Sequence, residues 1–377
     1  MKILVTGANG FVAKNLIWHL RNRGYEDIDT YSHTDPEEEL KEKCAAADFV
    51  VHLAGVNRPV SQSSYWVGNA DFTKTLVKYL EEAGSKAPVI LSSSTQAELD
   101  NAYGLSKKEA EKIIDTYGRK GNVRVYIYRM PNVFGKWSRP NYNSAIATFC
   151  HNIANNLPIT VNDVGHRMSL LYIDDIVEEF TEKILENTAL KQPYKKADSY
   201  IEPIKSPVYK TTLGHIADTV GSFADLRNTL DLPDLSDPLT SKLYSTYLSF
   251  LPKDKFSYKL KMNKDDRGSF TEFLRTKFSG QVSVNISHPG IVKGQHWHDS
   301  KNEKFVVVSG SGLIRFRKIG EEEIIEYPVD SRELQVVEIP TGYTHSIINT
   351  GNEDMVTLMW ANEPFNPEKP DTYHMEV

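Results

Sequence analysis

The opening thirteen residues constrain the fold more than any other stretch of this chain. Ile3-Leu4-Val5 is a short apolar run that reads as a buried β-strand. Thr6-Gly7-Ala8-Asn9-Gly10 is a glycine turn. Phe11-Val12-Ala13 then opens a helical pattern that continues to Arg21, with Val12, Leu16 and Leu20 on one face. In a strand–turn–helix unit of this kind, the absent side chains at Gly7 and Gly10 let a pyrophosphate approach the backbone. The helix N-terminus then aims its amides at the phosphates, and a small residue such as Ala13 permits close helix–strand packing. Gly7, Asn9, Gly10, Phe11 and Val12 are therefore the candidate dinucleotide contacts. Further short apolar runs at Asp48–Ala54, Val89–Ser92 and Val123–Tyr128 alternate with helical patterns over about 240 residues, as a doubly wound parallel sheet requires.

The chain has 377 residues, too many for one average core, so two domains are expected. Around residues 230–260 the pattern changes through the turn-rich Leu232-Pro233-Asp234-Leu235-Ser236-Asp237-Pro238 and a tyrosine-rich stretch from Tyr244 to Tyr258. The junction is placed near residue 243, dividing the chain into 1–243 and 244–377. The second part reads as all-β. Phe305–Ser309 and Leu313–Arg317 flank Gly310-Ser311-Gly312, a hairpin signal, and Val356–Trp360 is a late strand. Many short strands joined by glycine turns favour a barrel or jelly roll. The formal net charge of -6 offers no basic patch for nucleic acid or an acidic membrane. No apolar run reaches the roughly 18 residues of a membrane span, and the run after Lys2 is too short for a signal peptide. Two isolated cysteines, Cys44 and Cys150, make no disulfide framework, so a reducing, cytoplasmic setting is expected.

Among nineteen tyrosines, only Tyr103 has a lysine four positions later. Positions i and i+4 share a helix face, so Tyr103 can pass a proton to a carbonyl oxygen while the Lys107 charge lowers the phenol's pKa. Ser92-Ser93-Ser94-Thr95 ends the preceding strand and supplies a hydroxyl donor, Ser94 or alternatively Ser93. The second strand, Ile28-Asp29-Thr30-Tyr31, ends at Ser32 and His33 rather than at an acidic residue, which leans the cofactor reading toward NADP(H) over NAD. In the rear half, His296 and His298 stand two apart and face one way on a strand. Glu303 and His345 complete three imidazoles and a carboxylate, a first-row metal set.

These residues carry two resemblances. Thr6-Gly7-x-x-Gly10, His52-Leu53-Ala54-Gly55, Ser94, Tyr103-x-x-x-Lys107, Arg129-x-Pro131-Asn132-Val133-Phe134-Gly135 and Tyr172-Ile173-Asp174-Asp175 follow the order of the extended short-chain dehydrogenase/reductases. That resemblance implies a Rossmann-type sheet and nucleotide-sugar substrates. It also implies Ser94, Tyr103 and Lys107 as the catalytic triad and Leu53, Ala54 and Gly55 beside the cofactor. Asn132 would lie near the sugar diphosphate, and Arg167 against a phosphate. Family dehydratases carry an acidic pair just after the serine or threonine; here Thr95 and Gln96 stand there, which favours simple carbonyl reduction. Gly290-(x5)-His296-Trp297-His298-(x4)-Glu303-(x6)-Gly310 and Pro340-Thr341-Gly342-Tyr343-Thr344-His345-(x3)-Asn349 match the cupin motifs, although Leu334 replaces the second motif's leading glycine.

Asp266-Arg267-Gly268-Ser269-Phe270 and Gly290–His296 resemble epimerases of deoxy-4-ketohexose nucleotides. There the residue matching His296 is the base and that matching Lys293 binds phosphate. With His298 beside it, His296 is either base or metal ligand. End to end, the chain resembles bifunctional capsular-polysaccharide enzymes. These imply a UDP-4-keto-sugar substrate, C3 epimerisation in the cupin, NADPH-dependent C4 reduction in front, one zinc per cupin and a homodimer. Two other readings stay open: a reductase whose cupin is a structural or dimerisation module, and a non-enzymatic NADP sensor.

Overall fold

The computed structural model describes residues 1–58, 61, 63–189, 200–260, 263–265, 268–270, 280–363 and 368–377. The chain divides into two compact units that interleave in sequence, 1–144 with 168–210 and 145–167 with 211–377.

The first unit is built on parallel strands β1 (Ile3–Thr6), β2 (Ile28–Tyr31), β3 (Phe49–His52), β4 (Val89–Ser94) and β5 (Val125–Met130). β6 (Asn132–Phe134), β7 (Arg167–Tyr172) and β9 (Val208–Thr212) form a small separate sheet, while β8 (Ile201–Glu202) extends the main one. The main order is β2-β1-β3-β4-β5-β8. β1, β3 and the inner part of β4 are buried along their length and Val/Ile/Leu-rich, as strands covered on both faces must be. The chain leaves β1 outward to β2 and returns across it to β3. The β1/β3 boundary is therefore the point where the winding reverses, and the crevice beyond the strand ends there is where such sheets take ligands. Leu4, Val50, Leu91 and Ile127 pack with Leu76, Leu80, Ile114 and Tyr117 of the helices Phe72–Glu82 and Ala102–Gly121 in one core.

The second unit holds two five-stranded antiparallel sheets. Its strands are β10 (Ser257–Lys259), β11 (Asn263–Asp265), β12 (Gly268–Phe270), β13 (Gln281–Ser287), β14 (Val292–Trp297), β15 (Glu303–Ser309), β16 (Ser311–Lys318), β17 (Ile324–Asp330), β18 (Gln335–Ile339), β19 (Tyr343–Asn349), β20 (Met355–Ala361) and β21 (Tyr373–His374). One sheet runs β10-β18-β15-β20-β13 and the other β17-β16-β19-β14-β21. The hairpin expected at Gly310 is absent. β15 pairs with β18 and β20, whereas β16 pairs with β17 and β19. Gly310, at φ +80, turns the corner between the sheets, a glycine use that sequence alone does not separate from a hairpin turn.

Residue 243 lies inside the helix Pro238–Leu248, whose Leu239, Leu243, Tyr244 and Tyr247 are buried. Phe223 packs edge-on against Tyr244 at 5.1 Å. The tyrosines that read as a change of composition are thus core residues. Close by, Lys304 and Glu338 are both almost wholly buried and pair at 2.6 Å, with Arg227 Nε 3.7 Å from the same carboxylate oxygen. Cys44 and Cys150 are buried free thiols.

Candidate functional sites

The glycine turn is fixed by contact as well as by dihedral angle. Gly7 sits at φ +71, and a Cβ there would lie 2.7 Å from both Cα and N of Ala54. The turn closes through Gly10 N–H to Gly7 O at 2.8 Å, and Ala8 N–H donates to Tyr31 O at 3.2 Å. The Gly7–Gly10 turn and Leu53-Ala54-Gly55 therefore meet at the β1/β3 reversal. This is a cradle with no side-chain bulk at the start of the helix Phe11–Asn22, and it fits a pyrophosphate. Asn9 and Gly10 are exposed there, with Phe11 and Val12 half-buried behind them.

Behind the cradle, a chain of hydrogen bonds locks the ends of β1 and β3. His52 is fully buried and held neutral, its pKa drawn down to about 3 by burial and by the Lys107 charge. Thr73 spends its proton on Asn69 O at 2.6 Å, so His52 Nε2–H donates to Thr73 at 2.8 Å and Nδ1 accepts from the Thr6 hydroxyl at 2.7 Å.

At the tip of β2, Ser32 is buried; its hydroxyl pairs with Thr34 at 2.7 Å and its amide donates to Asp35 at 2.7 Å. His33 is exposed. The Asp35 carboxylate is turned onto the strand end, and positions 32 and 33 carry no acid.

Tyr103 and Lys107 stand one turn apart on the helix Ala102–Gly121. Ser94 closes β4, with its hydroxyl near enough to the Tyr103 phenol to lower its pKa. The same hydroxyl accepts the Gln96 amide at 3.1 Å, capping a short 3-10 turn, Thr95–Glu98. That turn takes up the short spacer between Ser94 and Tyr103. It packs so closely on the helix that a Cβ at Gly104 would lie 2.2 Å from Gln96 O. Gly104 thus sets the approach of serine to tyrosine. Ser93 is engaged elsewhere, donating to Glu111 at 2.5 Å. Glu111 also takes Arg129 at 2.6 Å and 2.9 Å, and Arg129 holds Glu98 at 2.9 Å. Lys107 is buried, donates to Ser92 O at 3.0 Å, and comes so near Gly55 that a Cβ there would be 2.9 Å from its Nζ.

The electrostatics differ from the sequence expectation. Burial raises the Tyr103 phenol above its ordinary value, with the nearby Ser94 hydroxyl acting the other way and the Tyr65 phenol adding to the rise. Burial draws Lys107 down to about 8, opposed by Glu111. The lysine's charge does not govern the phenol here, because its ammonium is turned to Ser92 O. Two residues went unrecognised in the sequence. Tyr65 packs on Tyr103 at 5.6 Å between centroids. Asn69, in a π-helical segment Trp66–Asp71, ties Val56 to Ser106 by bonds of 2.9 Å each. Asn69's π-segment leaves no periodic signal, and Tyr65 ends a three-residue helical turn, Ser63–Tyr65, too short to show one.

In the second unit, His296, His298, Glu303 and His345 bring one ligand atom each within 4.8 Å of one another. Glu303 Oε2 is 3.4 Å from His298 Nε2 and 3.5 Å from His345 Nε2, too long for good hydrogen bonds. All three atoms are buried without a hydrogen-bond partner. Such orphans are costly unless something binds them, so the donor set fits a cation. His296 Nδ1–H donates to Gly294 O at 3.0 Å and His298 Nδ1–H to Asp371 O at 2.5 Å, leaving both Nε2 lone pairs inward. Burial and the neighbouring imidazoles hold His296 at about 4, neutral and able to coordinate. Burial would raise Glu303, but His298 and His345 hold it well below the carboxylate range. The set of N₃O donors suits zinc.

Asn132 is exposed on β6, with its amide 3.4 Å from Ser169 O. Arg167 is exposed at the start of β7 and belongs to the second unit. Lys293, on β14, spends two hydrogen bonds on Asn285 at 2.7 Å and Ile286 O at 2.6 Å. Asp266 and Arg267 lie outside the described residues.

Fold and sites together define a two-module chain, a nicotinamide-dinucleotide-type α/β module and a cupin-type β-barrel with a histidine–carboxylate centre. Residues 3–194 match the NAD dependent epimerase/dehydratase family and residues 263–373 the polysaccharide biosynthesis C-terminal domain. The chain belongs to the NAD dependent epimerase/dehydratase family. It is 43% identical over 377 residues to the UDP-2-acetamido-2,6-beta-L-arabino-hexul-4-ose reductase of Pseudomonas aeruginosa, covering 100% of this chain and 99% of that one. It is CapF-like throughout. The crystal structure of the capsular polysaccharide assembling protein CapF from Staphylococcus aureus matches with 48% identity and a TM-score of 0.66, over 100% of both chains. The spore coat polysaccharide biosynthesis protein SpsL of Bacillus subtilis is 25% identical over 123 residues, 30% of this chain and 82% of that protein.

Proposed function

We propose that the chain is an NADPH-dependent UDP-4-keto-sugar reductase that first epimerises its substrate. The substrate is UDP-2-acetamido-2,6-dideoxy-β-L-arabino-hexos-4-ulose, and the product lies on the route to UDP-N-acetyl-L-fucosamine for capsule or O-antigen polysaccharide. One observation carries the reading: the Ser94 hydroxyl close enough to the Tyr103 phenol to lower its pKa, beside buried Lys107, in a chain 43% identical end to end to a reductase of that name.

Reduced nicotinamide, when bound, supplies the hydride for C4. Gly7, Asn9, Gly10, Phe11 and Val12 hold its pyrophosphate, with Leu53, Ala54 and Gly55 opposite. Ser32 and His33 accept a ribose 2′-phosphate, since no acid stands at either position. Ser94 donates to the C4 carbonyl oxygen and orients it, and Tyr103 gives that oxygen its proton. Lys107 holds the ribose. Asn132 lies near the sugar diphosphate at the reductase site and Arg167 contacts a phosphate, while Lys293 binds substrate phosphate in the cupin.

Epimerisation at C3 belongs to the cupin. A C4 ketone acidifies the C3 proton by stabilising the enolate, so inversion comes before reduction. His296, His298, Glu303 and His345 hold one zinc, which supplies Lewis acidity at a ketone oxygen or staples the barrel. With its Nε2 in this cluster, His296 is assigned as ligand, and another residue is the base. The enzyme works as a cytoplasmic homodimer; among the described residues no helix is long and apolar enough to cross a membrane.

The test is incubation with the 4-keto sugar and NADPH in heavy water. Deuterium at C3 of a C4-reduced product supports both steps. Reduction without deuterium leaves a reductase with a structural cupin, and no NADPH oxidation overturns the reading.

A further inference from the structure

We propose that Asp371 is a positioning residue for the His296–His298–Glu303–His345 centre, and that the segment 370–377 forms a strap whose docking and metal binding strengthen each other. This rests on the reading of that cluster as a metal centre.

Asp371 does two things at once. Its carbonyl takes His298 Nδ1–H at 2.5 Å. That bond fixes the tautomer and ring angle that point Nε2 at the ion, the role that a ligand histidine's outer partner ordinarily fills. Its carboxylate gathers the turn between His298 and Glu303. Oδ1 accepts the Asp299 amide at 2.9 Å, and Oδ2 accepts the amides of Ser300 at 3.0 Å and Lys301 at 2.7 Å and the Ser300 hydroxyl at 3.0 Å. One carboxylate therefore sets the spacing between two of the four ligands. Asp371 is only 8% exposed, so water does not substitute for these bonds. Its backbone lies at φ +41, a conformation that Asp and Asn tolerate better than other side chains.

The rest of the strap reaches the other two ligands. β21 pairs beside β14, with His374 opposite His296 and Tyr373 opposite Trp297. The strand just before His296 is irregular: the register slips between Gly294 and His296, with Gly294 at φ +96 and Gln295 at φ +59. The strap pins that irregularity through Met375 N–H to Gln295 O and Val377 N–H to Gln295 Oε1, both 2.9 Å. It then passes to Thr344, next to His345, whose hydroxyl donates to Met375 O, and to Arg317, which donates to Glu376 O at 2.6 Å. Lys301 Nζ closes the near end on Pro370 O at 2.7 Å.

Two sites on one body that favour each other do so reciprocally. If the docked strap raises zinc affinity by some factor, zinc raises strap docking by the same factor. Losing an outer partner of a ligand histidine costs about 10–100-fold in metal affinity.

The test uses the full chain, stripped with a chelator and titrated with zinc against a chromophoric competitor. Asp371→Asn suits the backbone and keeps the carbonyl that takes His298, but sets an amide NH₂ where a carboxylate oxygen accepted the Ser300 and Lys301 amides. With the 299–301 turn unmoored, we expect zinc affinity to fall about tenfold or more and the visible bands of the cobalt(II) form to shift. Glu322→Ala, exposed and outside both strap and ligand set, leaves both unchanged. In the wild type, zinc slows hydrogen exchange at the amides of residues 299–301, 375 and 377. Asp371→Asn with wild-type zinc affinity and cobalt spectrum, or exchange indifferent to zinc, overturns the proposal. A wild-type chain that takes up no zinc overturns instead the metal reading beneath it. Asp371→Ala gives a larger loss; should it fail to fold, Asp371→Asn decides.

Discussion

Replacing Tyr103 by phenylalanine isolates the proton from everything else the residue does. The ring stays, and with it the packing on Tyr65 at 5.6 Å. What disappears is the hydroxyl alone, at a cost of no more than about 1 kcal/mol of stability, so the unit folds. Burial raises the phenol's pKa above its ordinary value, so near neutral pH the group keeps its proton and is poised as an acid, as reduction of a ketone needs. A positioned general acid contributes about 10²–10⁴ in rate, which is about 2.7–5.4 kcal/mol of barrier. With the 4-keto sugar saturating, NADPH oxidation followed by absorbance should fall at least about a hundredfold in kcat. Deuterium uptake at C3, measured in the same tubes, should hold its wild-type rate. A variant that keeps more than about a tenth of kcat refutes the assignment of the phenol. Loss of C3 exchange together with reduction refutes the separation into two sites.

The pH profile of reduction should follow Lys107: burial places it at about 8, so its charge is lost as pH rises through that value. kcat/KM then declines above pH 8, and Glu111→Gln, removing the group that raises the lysine, moves the decline to lower pH. Gly7→Ala forces an L side chain to φ +71 with its Cβ 2.7 Å from Ala54. The strain alone is about 1–3 kcal/mol, so NADPH affinity measured by fluorescence should drop at least about tenfold while zinc content stays constant. Lys304→Met strands the Glu338 carboxylate, which is 1% exposed, and should cost about 3–5 kcal/mol in urea unfolding, less whatever Arg227 offsets. The double variant Lys304→Met/Glu338→Leu should recover most of that loss, and a single variant within 1 kcal/mol of wild type would show the pair to be unimportant. Chelation should abolish C3 exchange with circular dichroism and NADPH binding intact; a collapsed spectrum would assign the ion a structural role.

What could be read from sequence was what lies close along the chain. The Gly7–Gly10 turn, the Tyr103/Lys107 pair and the His296/His298 pair each span at most four positions, and each was found with its neighbours in order. Glu303 and His345 followed because their spacing is itself a motif. The rest depends on residues far apart in sequence. Asn69 reaches Val56 and Ser106, Asp371 reaches back seventy-three positions to His298, and neither lies in a periodic pattern. Gly310 shows a subtler limit. A glycine at positive φ between two apolar runs is common to hairpins and to corners between sheets, and only the partners of the runs tell them apart. The phenol's pKa failed for a similar reason: a lysine one turn away was legible, but the direction of its ammonium and the burial of both groups were not.

The surroundings of Ser94 also bear on which reaction this module performs. Loss of water from a nucleotide sugar needs a carboxylate beside the hydroxyl that leaves and the carbon that surrenders its proton. Thr95 and Gln96 cannot act so, but Glu98 lies only four positions beyond Ser94 and is itself an acid. Its carboxylate is held at 2.9 Å by Arg129, whose other nitrogens grip Glu111 on the tyrosine helix, and Glu111 in turn holds Ser93. The acid nearest along the chain is thus committed to a clamp that joins β4, β5 and the helix Ala102–Gly121. The Tyr103 phenol stands outside that clamp, and its raised pKa favours giving a proton over taking one. A site of that kind reduces a ketone and leaves its neighbours alone, so the inversion at C3 proposed above falls to a separate centre that acts while the ketone is still present.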